Sequence, residues 1–194
     1  MKFIRADIRL TFFALIILSA LALFGIGFFV SAPVEKLLGV SAYAMRGAIH
    51  GLFATVFMIT VTLGVYQAAR LWMGSNIEVA DLKAGSLVNV FACLATIISG
   101  NWIYIPYRAA GGPREHFLQN MPEIHKIFFE FKEFAALFTF PLLVAAAYIV
   151  WRYQSKLLQS RNLRIFTSIL LILGFIFFFK AFGLGAAITK LSSV

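Results

Sequence analysis

The chain has 194 residues, of which 61% are hydrophobic and only 13% charged, with 22 phenylalanines. About 25% of the residues of a typical soluble domain are charged. The composition therefore excludes a soluble domain. It predicts a single all-α transmembrane domain over residues 1–194. The formal charge of +9 does not indicate a nucleic-acid-binding protein, because the 17 lysines and arginines are spread over flanks and loops instead of forming one basic stripe.

Five apolar runs are each long enough to cross a bilayer, which takes about 20 residues of helix. They are residues 10–30, 45–72, 85–107, 125–153 and 165–191. Lipid offers no hydrogen-bond partners to the backbone, and the runs lack the alternation of barrel strands, so each is predicted to be a helix. The first run follows basic residues as a signal peptide would, but it is longer than a typical signal core, and we expect it to be a retained helix.

The basic residues near the ends of the runs favour a cytoplasmic N-terminus and an external C-terminus in a bacterial inner membrane. That orientation places nine basic residues inside, namely Lys2, Arg5, Arg9, Arg70, Lys83, Arg152, Lys156, Arg161 and Arg164. It leaves six outside, namely Lys36, Arg46, Arg108, Arg114, Lys126 and Lys190.

Two histidines are predicted near the outer ends of different helices. His50 lies early in the second run and His125 opens the fourth, so both imidazoles are expected within about 10 Å of the outer interface. Gly47 and Gly51 flank His50 on one helix face and leave room for a planar ligand between the helices. The alternative is a small-xxx-small helix contact with a hydrogen-bonded His50 beside it.

Charged residues also fall inside the predicted spans, where ionisable groups are costly and need partners. Glu130, Lys132 and Glu133 lie in the fourth run, and Lys180 lies in the fifth. Glu133 and Lys180 have matching predicted depths of about 12 Å, which predicts an ion pair across these two helices, with Glu130 as the substitute partner. The cluster is predicted either to stabilise the packing of the helices or to form part of a proton or quinone path.

The connection between the third and fourth runs carries Arg108, Arg114 and His116. Its arginines can bind carboxylates with two parallel hydrogen bonds, beside the predicted histidine pair. The alternative is a basic surface loop that contacts lipid headgroups or a neighbouring subunit. His116 is predicted to be a surface residue.

Other chemistry has little support in the sequence. No Walker loop, dinucleotide fingerprint, His-Glu-x-x-His or Gly-x-Ser-x-Gly motif occurs. The single cysteine, Cys93, is expected to be a packing residue. A zinc or copper site from His50, His125 and Glu130 or Glu133 would require these groups to converge from different depths and faces.

His50 and His125 give the chain a general resemblance to small membrane-embedded b-type cytochromes, the quinone-reactive haem subunits of membrane dehydrogenases and hydrogenases. The resemblance implies a non-catalytic redox subunit that passes electrons between a periplasmic partner and quinone. It further implies one haem b, its iron held by His50 and His125 beside Gly47 and Gly51, with Arg46, Arg108 and Arg114 near the propionates. Two alternatives stay open: a haem-free structural subunit of a larger membrane complex, and a transporter or proton path through Glu130, Glu133 and Lys180.

Overall fold

The computed structural model describes Gly39 and residues 41–191. Four described helices are long and apolar enough to cross a membrane: Tyr43–Met73, Val79–Arg108, Ile124–Tyr153 and Arg161–Lys190. They match four of the five predicted spans and confirm an all-α, multi-pass integral membrane protein. The fifth predicted span, residues 10–30, lies outside the described residues, and the orientation across the membrane stays a prediction.

The described elements follow one another with short connections. In chain order they are α1 (Ala42–Met73), α2 (Val79–Arg108), α3 (Pro113–Asn120), the π-helical segment (Ile124–Phe129), α4 (Glu130–Tyr153), α5 (Ser155–Gln159) and α6 (Arg161–Leu191). The two ends of the bundle are named below after the short helices that they carry, the α3 end and the α5 end.

Local sequence explains where these helices begin and end. The Ser41 side chain caps α1 by accepting a hydrogen bond from the Ala44 amide at 3.2 Å. Gly74 ends the same helix in the left-handed conformation, with φ of 69°. α2 begins six residues before the predicted run. Its first turn carries Asp81, whose negative charge stabilises a helix N-terminus but interrupts the apolar pattern from which the run was predicted.

The predicted loop after α2 contains a helix that the sequence analysis did not predict. α3 begins at Pro113, directly after Gly112, and proline suits a first helical position because that amide has no intrahelical partner. Phe117 of α3 is buried against Tyr107 and Phe129. α3 therefore closes the end of the bundle instead of forming an open loop.

The four long helices form a ring in which α1 and α4 each pack against both α2 and α6. α1 and α4 are thus diagonal to each other. The core between them is apolar and includes Phe57, whose ring centroid lies 4.1 Å from that of Phe178 on α6. The outward faces are apolar as well: the side chains of Phe134 and Phe179 are 57% and 58% exposed, as expected for contact with lipid.

Candidate functional site

His50 lies on α1, about 12 Å along the helix from its first residue at the α3 end. Its Nδ1 is 3.1 Å from the Ser99 hydroxyl of α2. That hydroxyl also lies 3.0 Å from the Thr96 carbonyl, to which it can donate its own proton, and it then accepts from His50. When the Ser99 hydroxyl donates to the Thr96 carbonyl, the imidazole proton is on Nδ1, and Nε2 makes no hydrogen bond with the described residues, so its lone pair can bind a metal or accept a proton.

Small residues surround the His50 ring. Gly100 of α2 faces it so closely that a Cβ at this position would lie 3.2 Å from His50 Cε1. For Gly47 and Gly51 of α1, no described atom apart from the adjacent residues and backbone of α1 itself lies within 4 Å of where a Cβ would stand. Among the described residues these glycines therefore leave open space beside His50 and do not form the alternative tight helix contact.

Arg46 lies one helical turn before His50 on the same face. Its Nη1 donates to the Trp102 carbonyl at 3.4 Å, and its guanidinium lies 5.0 Å from the Trp102 ring centroid. The Nε of Arg46 is buried and has no hydrogen-bond partner in the described part of the chain. A buried donor without a partner beside an open flank is a feature that a bound carboxylate would satisfy.

His125 belongs to the π-helical segment, a rare geometry that is frequent at functional sites. Only 5% of the residue is exposed, and its Nδ1 lies 2.9 Å from the Tyr107 hydroxyl of α2. Phe129, one turn further on, stacks against Tyr107 with a centroid distance of 4.6 Å. His125 is therefore held in an aromatic layer at the α3 end.

The structure does not place His50 and His125 at one level. Their anchoring residues, Ser99 and Tyr107, are eight residues apart on α2, which separates the two Cα positions by about 12 Å along the helix. On α4, the Lys132 Nζ lies 4.7 Å from the Phe129 ring centroid, and its charge acts on His50. The expectation that the two imidazoles meet in one layer is thus not met by this arrangement.

A second polar network lies beside the aromatic layer. Arg108 Nη2 donates to the Tyr104 hydroxyl at 2.9 Å, and that hydroxyl donates to Glu133 Oε2 at 3.1 Å. Glu133 therefore points to α2. Lys180 on α6 is exposed, and no contact joins it to Glu133 within the described residues, so the predicted ion pair is not formed.

The other predicted residues lie apart from these networks. Glu130 is exposed, and Arg114 is half-buried in the first turn of α3. His116 is exposed on α3, with its Nδ1 3.2 Å from Asn120, in agreement with a surface role. Cys93 is buried in the core. Within the part of the chain that the structure describes, no three His, Cys, Asp or Glu side chains converge on a metal site.

Sequence reasoning found the histidines but missed the residues of α2 that hold them. Ser99, Tyr104 and Tyr107 are ordinary residues in an apolar run, and only their polarity in a membrane span could have drawn attention to them. Comparison with models of known protein families, with curated proteins and with solved structures finds no match to this chain.

Proposed function

We propose that the chain is an electron-transfer subunit of a membrane oxidoreductase complex and that it binds one haem b in the half of the bundle nearer the α3 end. The observation that carries the proposal is the environment of His50. Its Nδ1 is hydrogen-bonded to Ser99, and its Nε2 makes no hydrogen bond with the described residues. Metal-bound histidines have this arrangement, with one ring nitrogen on the metal and the other hydrogen-bonded to the protein.

The residues around His50 fit a haem in three respects. The His50 imidazole would hold the iron through a ring nitrogen. The buried Nε of Arg46, which has no described partner, supplies a donor for a propionate. Among the described residues, no side chain or neighbouring helix fills the space beside Gly47 and Gly51. A bound haem supplies one-electron chemistry, and the protein contributes the ligand, the apolar surroundings and the nearby charge that set its potential.

The hydrogen bonds of the two histidines support His50, and not His125, as the residue that would hold the haem iron. His125 is committed to the Tyr107 layer, about 12 Å along α2 from the Ser99 layer. A haem held by His50 therefore does not depend on His125 in this arrangement. Electrons would pass to a redox partner or quinone at the same end of the bundle, because one haem near one end does not bridge about 30 Å of hydrocarbon.

The test is the absorption spectrum of the detergent-purified protein. We expect dithionite to give a reduced haem b spectrum in the wild type, and we expect His50→Ala to abolish it. His125→Ala should keep the haem. His116→Ala is the matched control, because His116 is an exposed histidine on α3. A folded but colourless wild type would overturn the proposal in favour of a haem-free structural subunit, and full haem content in His50→Ala would overturn the assignment of the ligand.

A second candidate function, a proton or quinone path, is favoured by the hydrogen-bonded chain from Arg108 through Tyr104 to Glu133. Glu133 can take up and release a proton and Tyr104 can pass one to it, while Arg108 stays charged and orients the Tyr104 hydroxyl. In proteoliposomes that contain a pH-sensitive dye, Glu133→Gln should slow proton movement. The control is Glu123→Gln, which alters an exposed glutamate just before the π-helical segment. Equal proton movement in both variants would exclude this path.

A further inference from the structure

A pocket lies at the α5 end of the bundle, away from His50. Its cavity of about 310 Å³ is lined by Gly74, Ser75, Asn76, Ile77, Leu158 and Arg164. These residues come from the turn after α1, from α5 and from the first turn of α6. The candidate spans of α1 and α6 end at Met73 and begin at Arg161, so the pocket lies at the depth of the membrane interface.

The Arg164 guanidinium has a hydrogen-bond partner on one side of this pocket but not on the other. Its Nη1 donates to the Leu158 carbonyl at 2.7 Å. Its Nε is buried and has no hydrogen-bond partner among the described residues. Nε and Nη2 form one edge of the guanidinium, and this edge can donate two parallel hydrogen bonds to an anion.

Gly74 keeps the space beside that edge open. A Cβ on Gly74 would lie 3.2 Å from Arg164 Nη2, and the positive φ of 69° disfavours any other residue there. Arg164 is not needed to cap α1, because the carbonyls of Leu71 and Arg70 already accept from the amides of Gly74 and Ser75. Nη2 likewise makes no hydrogen bond with the described residues, so this edge of the guanidinium lacks a partner there.

We propose that this pocket binds the phosphate group of an anionic membrane phospholipid. The two guanidinium donors match two phosphate oxygens, and Ser75 and Asn76 add polar groups at the rim. The interfacial depth places a lipid phosphate within reach without removing the lipid from the bilayer. Lys156 of α5 is exposed and adds positive charge at this end of the bundle. This proposal does not depend on haem binding.

The experiment is native mass spectrometry of the detergent-purified full chain, titrated with phosphatidylglycerol. The wild type should retain one lipid, and Arg164→Gln should weaken that binding by about tenfold or more, because charge-assisted hydrogen bonds are lost. Arg161→Gln is the matched control and should change the affinity by less than about twofold, since exposed charges contribute little. Equal affinities in the two variants would overturn the proposal.

Two further arms complete the test. Asn76→Asp places a negative charge on an exposed residue at the rim of the pocket. This charge should repel the phosphate and weaken phosphatidylglycerol binding without affecting folding. The test therefore does not depend on the stability of Arg164→Gln. Unchanged binding in Asn76→Asp would count against the pocket as the site. Millimolar inorganic phosphate should not displace the lipid. Complete displacement would show that the ligand is free phosphate and would overturn the lipid assignment.

Discussion

Truncation of Phe57 to alanine should destabilise the bundle by an amount that comes mainly from lost packing. Phe57 is completely buried between α1 and α6, with its ring 4.1 Å from that of Phe178. The lipid interior is as apolar as the protein core, so moving the Phe57 side chain from lipid into the core contributes little free energy. The missing ring leaves a cavity of about 100 Å³, which at about 24 cal/mol per Å³ costs about 2.5 kcal/mol.

The assay is reversible unfolding of the purified protein in mixed micelles with increasing SDS. Phe179→Ala is the control, because this residue is 58% exposed and its loss should change the free energy of unfolding by less than about 0.5 kcal/mol. A double-mutant cycle of Phe57→Ala with Phe178→Ala should give a coupling of about 0.5–1.5 kcal/mol. Equal losses for Phe57→Ala and Phe179→Ala would refute the packing argument.

Three further predictions concern contacts of polar residues between helices, and the same unfolding assay measures all of them. Gly64→Ala should cost about 1–3 kcal/mol, because its Cβ would lie 2.7 Å from Asn89 Nδ2, and much less in an Asn89→Ala background. The same cost in both backgrounds would show that Asn89 is not the obstacle. Tyr104→Phe and Glu133→Gln should couple by about 0.6–1.7 kcal/mol because they share a hydrogen bond. Glu133→Gln and Lys180→Met should be additive within about 0.5 kcal/mol, and a larger coupling would restore the ion pair predicted from the sequence.

The membrane spans could be predicted from the sequence because apolar length decides them almost alone. Each of the four described spans agrees with a predicted run at its C-terminal end within a residue or so. The N-terminal ends are less well predicted, as with α2, because a first helical turn favours charge. α3 was missed because Gly111-Gly112-Pro113 resembles a loop, although proline and glycine also mark helix starts.

The site was harder to predict because a sequence gives the depth and the helix face of a residue only relative to its own helix. It does not give the position of that helix relative to its neighbours. His50 and His125 were both placed near one interface. However, α1 begins about eight residues before His50, whereas the π-helical segment begins one residue before His125. Helical periodicity likewise showed which face of α4 carries Glu133. It could not show that Glu133 contacts α2 instead of α6.

The position of α2 in the ring explains why its residues hold both histidines. α2 packs against both α1 and α4, which are diagonal and therefore have few contacts with each other. A polar group buried in a membrane must find its partner on an adjacent helix. α2 accordingly supplies Ser99 to His50 and Tyr107 to His125. The two layers are thus held separately, and a change in Ser99 should alter the surroundings of His50 while leaving the Tyr107 to His125 contact intact.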